Sequence, residues 1–331
     1  MSEVPAGDVG AVAKLAHTNT GDTITLKGDD VVLPEIRLPE PLLAIAVEPK
    51  TKGDEDKLSS GLARIQEEDP TIRVERSAET SETVLYCMGE AHMDVVIEKM
   101  KRKFGVEVSH RPARIPYKET IKGKAQATGR YVKQSGGHGQ YGVATIEVEP
   151  LDHGGGFEFV DKIVGGVIPH QFIPSVEKGV VKAMQEGIAA GYQMVDVRVT
   201  LFDGKFHTVD SSDMSFQIAG SMAMKEAAQN AGVALLEPIV ELDVVVPDDH
   251  TGDIMGDLNS KRGRIQGSAA MGNGEVEIVA LVPTSEIVRY AIDLRSMTGG
   301  RGRFSVQHSH YDPVPAHLVD KLKAQAEPAR V

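Results

Sequence analysis

Residues 133–140, KQSGGHGQ, combine small flexible residues with polar side chains in a pattern that suits contact with a ligand. The stretch lacks the Lys-Ser/Thr ending of a phosphate-binding loop, and Gly-x-x-x-x-Gly-Lys-Ser/Thr occurs nowhere in the chain. A nucleotide loop is therefore the weakest interpretation. A plain hairpin connection and a slim tip that enters a polar RNA groove both remain open. The candidate contact residues here are Gln134, Ser135, Gly136, Gly137, His138, Gly139 and Gln140.

Residues 206–213, FHTVDSSD, contain the ingredients of a hydrolytic triad in His207, Asp210 and Ser211. The chain has no Gly-x-Ser-x-Gly elbow around the serine. Ser211 and Ser212 are also typical helix N-caps, and Asp213 in a first turn would complement the helix dipole. We therefore favour a helix start with His207 as an exposed contact residue, and no catalytic residue is expected. A hydrolase that uses His207, Asp210 and Ser211 remains the alternative.

Two arginine-rich clusters form a second group of candidate contacts, KRGR at 261–264 and GRGR at 300–303. In a split βαβ fold, two such loops can lie close together and bind phosphates. Surface charges that only contact water are the alternative. The candidate residues are Lys261, Arg262, Arg264, Arg301 and Arg303.

A metal site is not expected, although His308 and His310 would share one face of a strand. No carboxylate or third ligand stands at a useful spacing from them. Cys87 is the single cysteine, which excludes an internal disulfide and a multi-cysteine zinc site.

Charge and hydropathy limit the classes of protein to which this sequence can belong. The 331 residues include 36 basic and 48 acidic side chains, for a net charge of −12, which argues against simple polyelectrolyte binding to nucleic acid. Residues 114–236 are nearly neutral, so basic surfaces can exist locally. No basic apolar leader or run of roughly 18 apolar residues occurs. We expect a cytoplasmic protein without membrane contact.

The pattern of elements predicts an α+β multidomain protein. Two segments, 39–113 and 237–315, share the order β-α-β-β-α-β of a ferredoxin-like split βαβ sandwich. Apolar spacing predicts helices over 53–68 and 90–104 in the first segment. In the second, Thr284 is expected to cap a helix that ends near residue 296.

The other segments differ from these sandwiches. Residues 114–236 are expected to hold strands at 117–121, 143–148 and 197–201 and helices over 173–188 and 212–230. The first 38 residues, with short strands at 9–13 and 23–26, look like the end of a β-barrel followed by a linker, so a fragment or a shortened relative is expected. Residues 316–331 are predicted to be a C-terminal tail.

Longer motifs resemble those of bacterial elongation factor G. The resemblance runs from the N-terminus to about residue 315, and its motifs are long and specific when taken together. It implies the end of the second domain (1–38), ferredoxin-like third and fifth domains (39–113 and 237–315) and a fourth domain (114–236) with the ribosomal protein S5 domain 2-like fold. The segments that carry it are 163–169, 173–179, 201–204, 207, 209–212, 252–259, 262–264, 293–296, 299–302 and 310–311.

The resemblance implies a ribosome-binding C-terminal portion of a translational GTPase. In that family the fourth domain reaches the decoding region, close to tRNA and mRNA, during translocation or ribosome splitting. Its tip loops match 134–140 and the turn at His207. The fifth domain contacts ribosomal RNA and proteins. GTP and Mg belong to the full-length relatives; for this chain we expect no cofactor, no GTP hydrolysis and a monomer.

The approach to the tip departs from ordinary elongation factor G. Residues 131–133 are Tyr-Val-Lys, and His138 stands where arginine is common in the family. The pattern is closer to the elongation factor G-like paralogues, which favours a specialised role. A naturally GTPase-less ribosome-binding factor is the second interpretation within the family.

Overall fold

A computed structural model describes residues 3–28, 30–36, 38–41, 43–77, 79–133 and 139–326, with only the backbone for 325–326. The chain forms two compact units, Met1–Ala113 and Arg114–Val331. In the part of the chain that the structure describes, no helix has the length and apolar character needed to cross a membrane.

The N-terminal residues differ from the sequence prediction. Among the described residues of 3–41 there is no helix or strand, so the strands expected at 9–13 and 23–26 are absent. Val9, Val12, Ile24 and Leu26 are all exposed. Two short apolar runs cannot bury each other's side chains, and strands form stably only in a sheet with a covered face.

The rest of the first unit is one α/β sandwich with the predicted order of elements. All strand pairs are antiparallel and the sheet order is β2-β3-β1-β4. Both helices pack their apolar stripes on one face of this sheet, where Leu62, Ile65, Val96 and Met100 are buried against Leu85. The elements are β1 (Leu43–Pro49), α1 (Glu55–Glu68), β2 (Arg73–Arg76), β3 (Thr83–Cys87), α2 (Glu90–Phe104) and β4 (Val108–Pro112).

The second unit begins with a different α+β sandwich, whose four-stranded sheet has the order β6-β7-β9-β8. Strands β8 and β9 are parallel and the other pairs antiparallel. The two helices approach closely, because a Cβ at Gly179 would lie 2.0 Å from the Gln217 carbonyl oxygen. The elements are β5 (Lys118–Ile121), β6 (Ala125–Lys133), β7 (Gln140–Pro150), β8 (Phe157–Asp161), α3 (Ile173–Glu186), β9 (Val197–Lys205) and α4 (Asp213–Ala231).

The second unit ends with a second sandwich whose sheet order, β11-β12-β10-β13, repeats that of the first unit. Thr284 does not cap a long helix as predicted. It lies in a short 3-10 turn and its hydroxyl donates to the Pro238 carbonyl at 3.0 Å. Residues of the expected tail form a helix. The elements are β10 (Val233–Pro247), α5 (Thr251–Ser260), β11 (Arg264–Ala270), β12 (Glu275–Pro283), α6 (Tyr290–Thr298), β13 (Arg303–Pro313) and α7 (Ala316–Ala326).

The two sandwiches of the second unit are joined by a strand pairing and by a common apolar cluster. Strand β5 pairs with the first residues of β10, so it joins the sheet of the C-terminal sandwich. Helix α7 contributes Leu322 to an apolar cluster that also contains Ala190, Leu235 and Val314. These contacts bind residues 114–331 into one compact unit.

Candidate nucleic-acid interface

The end of the β6–β7 hairpin lies beside the turn that follows β9. Residues Gln134–His138 of the predicted tip lie outside the described residues. Gly139 is described, and its N–H donates to Asp210 Oδ1 at 3.0 Å. A Cβ at Gly139 would lie 2.9 Å from the Asp210 carboxyl carbon, so a larger residue here would push the Asp210 side chain aside. The predicted proximity of the two loops is therefore present, and the Gln140 side chain accepts a hydrogen bond from the Tyr131 hydroxyl at 2.7 Å.

His207 is held at this end by its own turn. Its Nδ1 accepts from the N–H groups of Val209 and Asp210 at 3.3 and 3.2 Å, and its own N–H donates to Ser211 Oγ at 2.9 Å. The side chain is 51% exposed and its ring centroid lies 6.1 Å from that of Tyr141. The same Nδ1 also lies 3.2 Å from Asp210 Oδ2, so all of these contacts hold the ring through one nitrogen. The turn therefore holds a half-exposed imidazole in place beside Tyr141.

The hydrolase alternative fails on this geometry. Ser211 Oγ donates to the Tyr141 carbonyl at 2.9 Å and accepts from the His207 backbone, not from the imidazole. A nucleophilic serine needs its hydroxyl hydrogen-bonded to the base. Ser212 accepts from the Ser215 N–H at 3.2 Å, which confirms it as the N-cap of α4. These residues build a turn and a helix start.

Arg262 is paired with carboxylates of the protein and its side chain is 26% exposed, so its predicted RNA contact has no free guanidinium in this structure. Its guanidinium donates to both carboxylate oxygens of Glu237 at 2.6 and 2.9 Å and to Glu286 at 2.8 Å. Glu237 is only 4% exposed. These hydrogen bonds hold the pKa of Arg262 above its usual range. The backbone of Arg262 lies in the left-handed region, at φ 58°. Its role is to neutralise a buried carboxylate.

The other residues of the first cluster are also paired. Lys261 donates to Asp257 at 2.8 Å, lies 3.3 Å from Asp293, and its side chain is only 17% exposed. Arg264 pairs with Asp312 but keeps an exposed side chain. Of the first cluster, Arg264 alone remains a good candidate for an outside contact.

The two basic clusters do not lie together. Arg264 opens β11 and is opposite Leu281, near the end of β12. Arg303 opens β13 and pairs with Val245 near the end of β10, which in turn faces the start of β12. The clusters therefore occupy opposite ends of one sheet, and the expected joint phosphate site is wrong.

The second cluster has exposed side chains with acidic neighbours. Arg303 donates to both carboxylate oxygens of Glu275 at 2.7 and 2.9 Å, and Arg301 contacts His250 at 2.8 Å and lies 3.7 Å from Asp249. Both guanidinium groups can exchange these surface partners for phosphate, since exposed ion pairs are weak.

No metal site is found among the residues that the structure describes. No group of three or more His, Cys, Asp or Glu side chains there could hold a metal ion. His310 contacts Ser309 and Asp312, and the His308 ring lies 5.2 Å from that of Tyr311.

Sequence reasoning missed two exposed cations and an aromatic residue beside the His207 turn. Arg130 on β6 and Lys205 on β9 both pair with Val143 on β7, and Tyr141 lies two residues before Val143. The alternation of polar residues along 126–132 was the available signal. Only the strand register shows that the two cations share a row.

Three family models together match most of the chain. Elongation Factor G, domain III, matches residues 38–112; Elongation factor G, domain IV, matches 113–232; and Elongation factor G C-terminus matches 234–322. The chain belongs to the elongation factor G family. This confirms the resemblance and the multidomain α+β fold predicted from the sequence.

Individual relatives agree with this family. The Elongation factor G-like protein of Mycobacterium tuberculosis is 52% identical over 323 residues, which are 98% of this chain and 45% of that protein. Elongation factor G of Aquifex pyrophilus is 50% identical over 97% of this chain and 46% of its own length. A crystal structure from Thermus thermophilus matches with a TM-score of 0.78 and 38% identity, covering 89% of this chain and 44% of that one. The chain spans less than half the length of these relatives.

Proposed function

We propose that this chain is the ribosome-binding C-terminal portion of an elongation factor G-like translational GTPase. In this proposal, residues 113–232 form an arm that reaches the decoding region, near tRNA and mRNA, during translocation or ribosome splitting. The chain itself acts by binding, as a monomer in the cytoplasm, and GTP and Mg serve the full-length factor.

The observation that carries the proposal is the joined end of the arm. The hydrogen bond between Gly139 and Asp210 links the hairpin to the turn of His207. The sequence of the hairpin end is rich in glycine, and the imidazole held by its own turn offers a polar edge and a ring face. Polar, narrow projections of this kind suit entry into a groove of folded RNA, where phosphate and base contacts are both available.

Exposed arginines of the C-terminal sandwich supply a second proposed contact. Arg264, Arg301 and Arg303 keep side chains that are more than half exposed. Because their exposed ion pairs are weak, exchange of a carboxylate for an RNA phosphate costs little. We assign them to ribosomal RNA, at two separate places, since they lie at opposite ends of the sheet.

Cosedimentation of the whole chain with purified bacterial ribosomes tests this function. We expect saturable binding that weakens about tenfold, or about 1.4 kcal/mol, when His207→Ala removes the imidazole. His153→Ala is the matched control, since it removes an exposed histidine from the loop that follows the far end of β7. No association of the unmodified chain, or equal binding by both variants, would overturn the proposal.

A further inference from the structure

Among the described residues, helices cover one face of the arm's sheet and leave the other face open. Alternate residues on β6 and β7 face α4 at close range, because a Cβ at Gly129 would lie 1.9 Å from the Ala219 carbonyl oxygen and one at Gly142 would lie 2.8 Å from that of Ser215. Side chains alternate along a strand, so the neighbours of these glycines lie on the opposite face. That open face carries Arg130 and Tyr141.

Two cations occupy one row of the open face. Arg130 on β6, Val143 on β7 and Lys205 on β9 are paired in register, and we call these three residues the cationic row. Arg130 and Lys205 are exposed, while Val143 between them is only 7% exposed. Neither cation forms an ion pair or hydrogen bond with another described residue. Two neighbouring charges without counterions attract an anionic ligand.

Rings and hydroxyl groups flank the cationic row. On the side of the tip, Tyr141 precedes Val143 by two residues and its ring lies 6.1 Å from that of His207. On the other side, the hydroxyl oxygens of Thr128 and Thr145 lie 3.0 Å apart. Asp203, which is opposite Thr145, accepts a hydrogen bond from the Gly204 N–H and is the nearest acid in the register.

The charges at the far end of the open face balance one another. Lys124 lies 2.7 Å from Glu147, and Arg198 donates to Glu149 at 2.8 Å and also to Glu158. Lys124 lowers the pKa of the Glu147 carboxyl, and Lys162 is a third cation close enough to lower it as well, so three carboxylates face three cations there. The attraction for a polyanion is concentrated at the cationic row and falls off along the sheet away from the tip.

We propose that the cationic row and the adjacent rings bind single-stranded RNA on the open face of the sheet. Arg130 and Lys205 contact phosphates, and bases stack on Tyr141 and His207. This rests on the proposed function, because it extends the RNA contact of the arm from its end onto the sheet. Flat sheets that expose aromatic rings beside basic side chains are suited to unpaired nucleotides, whose bases can stack.

Fluorescence anisotropy of the whole chain with a labelled single-stranded RNA of about 12 nucleotides tests the inference at about 50 mM salt. We expect the Arg130→Gln/Lys205→Gln double variant to bind about tenfold or more weakly. The slope of the logarithm of the binding constant against the logarithm of the salt concentration should also become less steep by about 1.4. Each phosphate contact to a single strand contributes about 0.7 to that slope, and this variant loses two contacts. Tyr141→Leu should weaken binding and leave the salt slope unchanged.

Lys124→Gln is the matched control, because it removes one cation from the same face and already has carboxylate partners. It should bind like the unmodified chain. Binding by the double variant equal to that of Lys124→Gln, no binding by the unmodified chain, or equal binding of duplex RNA of the same length would overturn the inference. Ribosome cosedimentation separates the two proposals: a double variant that retains full ribosome binding while His207→Ala loses it refutes only the sheet contact.

Discussion

Replacing Glu119 with glutamine should strongly destabilise the second unit. Glu119 is fully buried, and its carboxylate accepts five backbone N–H groups from the loop that follows α3. Oε2 accepts from Ile188 and Ala189 at 2.7 and 3.0 Å, and Oε1 from Ala190, Gly191 and Tyr192 at 2.7, 3.0 and 3.3 Å. Five main-chain N–H groups therefore solvate this buried carboxylate.

The magnitude follows from counting the acceptors that glutamine removes. A glutamine amide has one oxygen, so at best three of the five N–H groups keep an acceptor and two face an NH2 group. Each buried group left unsatisfied costs about 1–3 kcal/mol. We expect Glu119→Gln to lower the free energy of unfolding by about 2–6 kcal/mol, for two groups at about 1–3 kcal/mol each. The loop also carries Ala190 and Tyr192 into the cluster with α7, so the loss should spread to that helix.

Urea unfolding followed by far-UV circular dichroism measures this loss, since the chain has no tryptophan. Hydrogen exchange should also show faster exchange of the amides of 188–192 and of α7. Glu186→Gln is the control, because its exposed pair with Lys225 at 2.9 Å is worth about 1 kcal/mol or less. A loss for Glu119→Gln within about 1 kcal/mol of that control would refute the reasoning.

Arg262, Glu275 and Cys87 can each be tested by a different measurement. Arg262→Ala should lower the free energy of unfolding in urea by about 3–5 kcal/mol, because it leaves the buried Glu237 carboxylate without its cation. Arg303→Ala on the surface should lower it by about 1 kcal/mol or less. Equal losses would contradict the structural role of Arg262. Hydrogen bonds from Arg303 and Asn273 lower the pKa of Glu275 to about 2. The ion pair of Arg303 and Glu275 therefore stabilises the fold above pH 4.5, and this contribution is lost as the pH falls towards 2. A Glu275 carboxyl that titrates near pH 4.5 by NMR would disprove this. Burial raises the pKa of the Cys87 thiol to about 12, so iodoacetamide should label it only after unfolding, and rapid labelling of the folded chain would contradict the burial.

Regular apolar spacing made the helices and sandwiches predictable. Helix α2 has the predicted bounds, Glu90–Phe104, because Met93, Val96 and Met100 recur at the helical period and Gly105 ends the helix in a left-handed conformation. The strand order of both sandwiches follows from the repeated order of elements. These features depend on neighbours in sequence, so the sequence contains enough information to find them.

Features set by distant partners were not predictable in the same way. Strand β6 has small and polar residues because α4 passes over Gly129, a contact 90 residues away in sequence at Ala219. The partner of Arg262 is Glu237, 25 residues earlier, so the residue looks like a free surface cation until the fold is known. The same holds for Arg130 and Lys205, whose common row depends on the register of three strands.

The central claim is that the end of the arm reaches the decoding region. The most direct test locates that end on the ribosome by cross-linking. A Val209→Cys variant places a thiol beside His207 at a position that is 64% exposed, while the native Cys87 stays buried. With a thiol-linked RNA cross-linker, we predict cross-links to small-subunit ribosomal RNA of the decoding region. The control is Val95→Cys on α2, which is 53% exposed and should not cross-link to that region. No cross-link from position 209, or the same cross-links from both positions, would contradict the account.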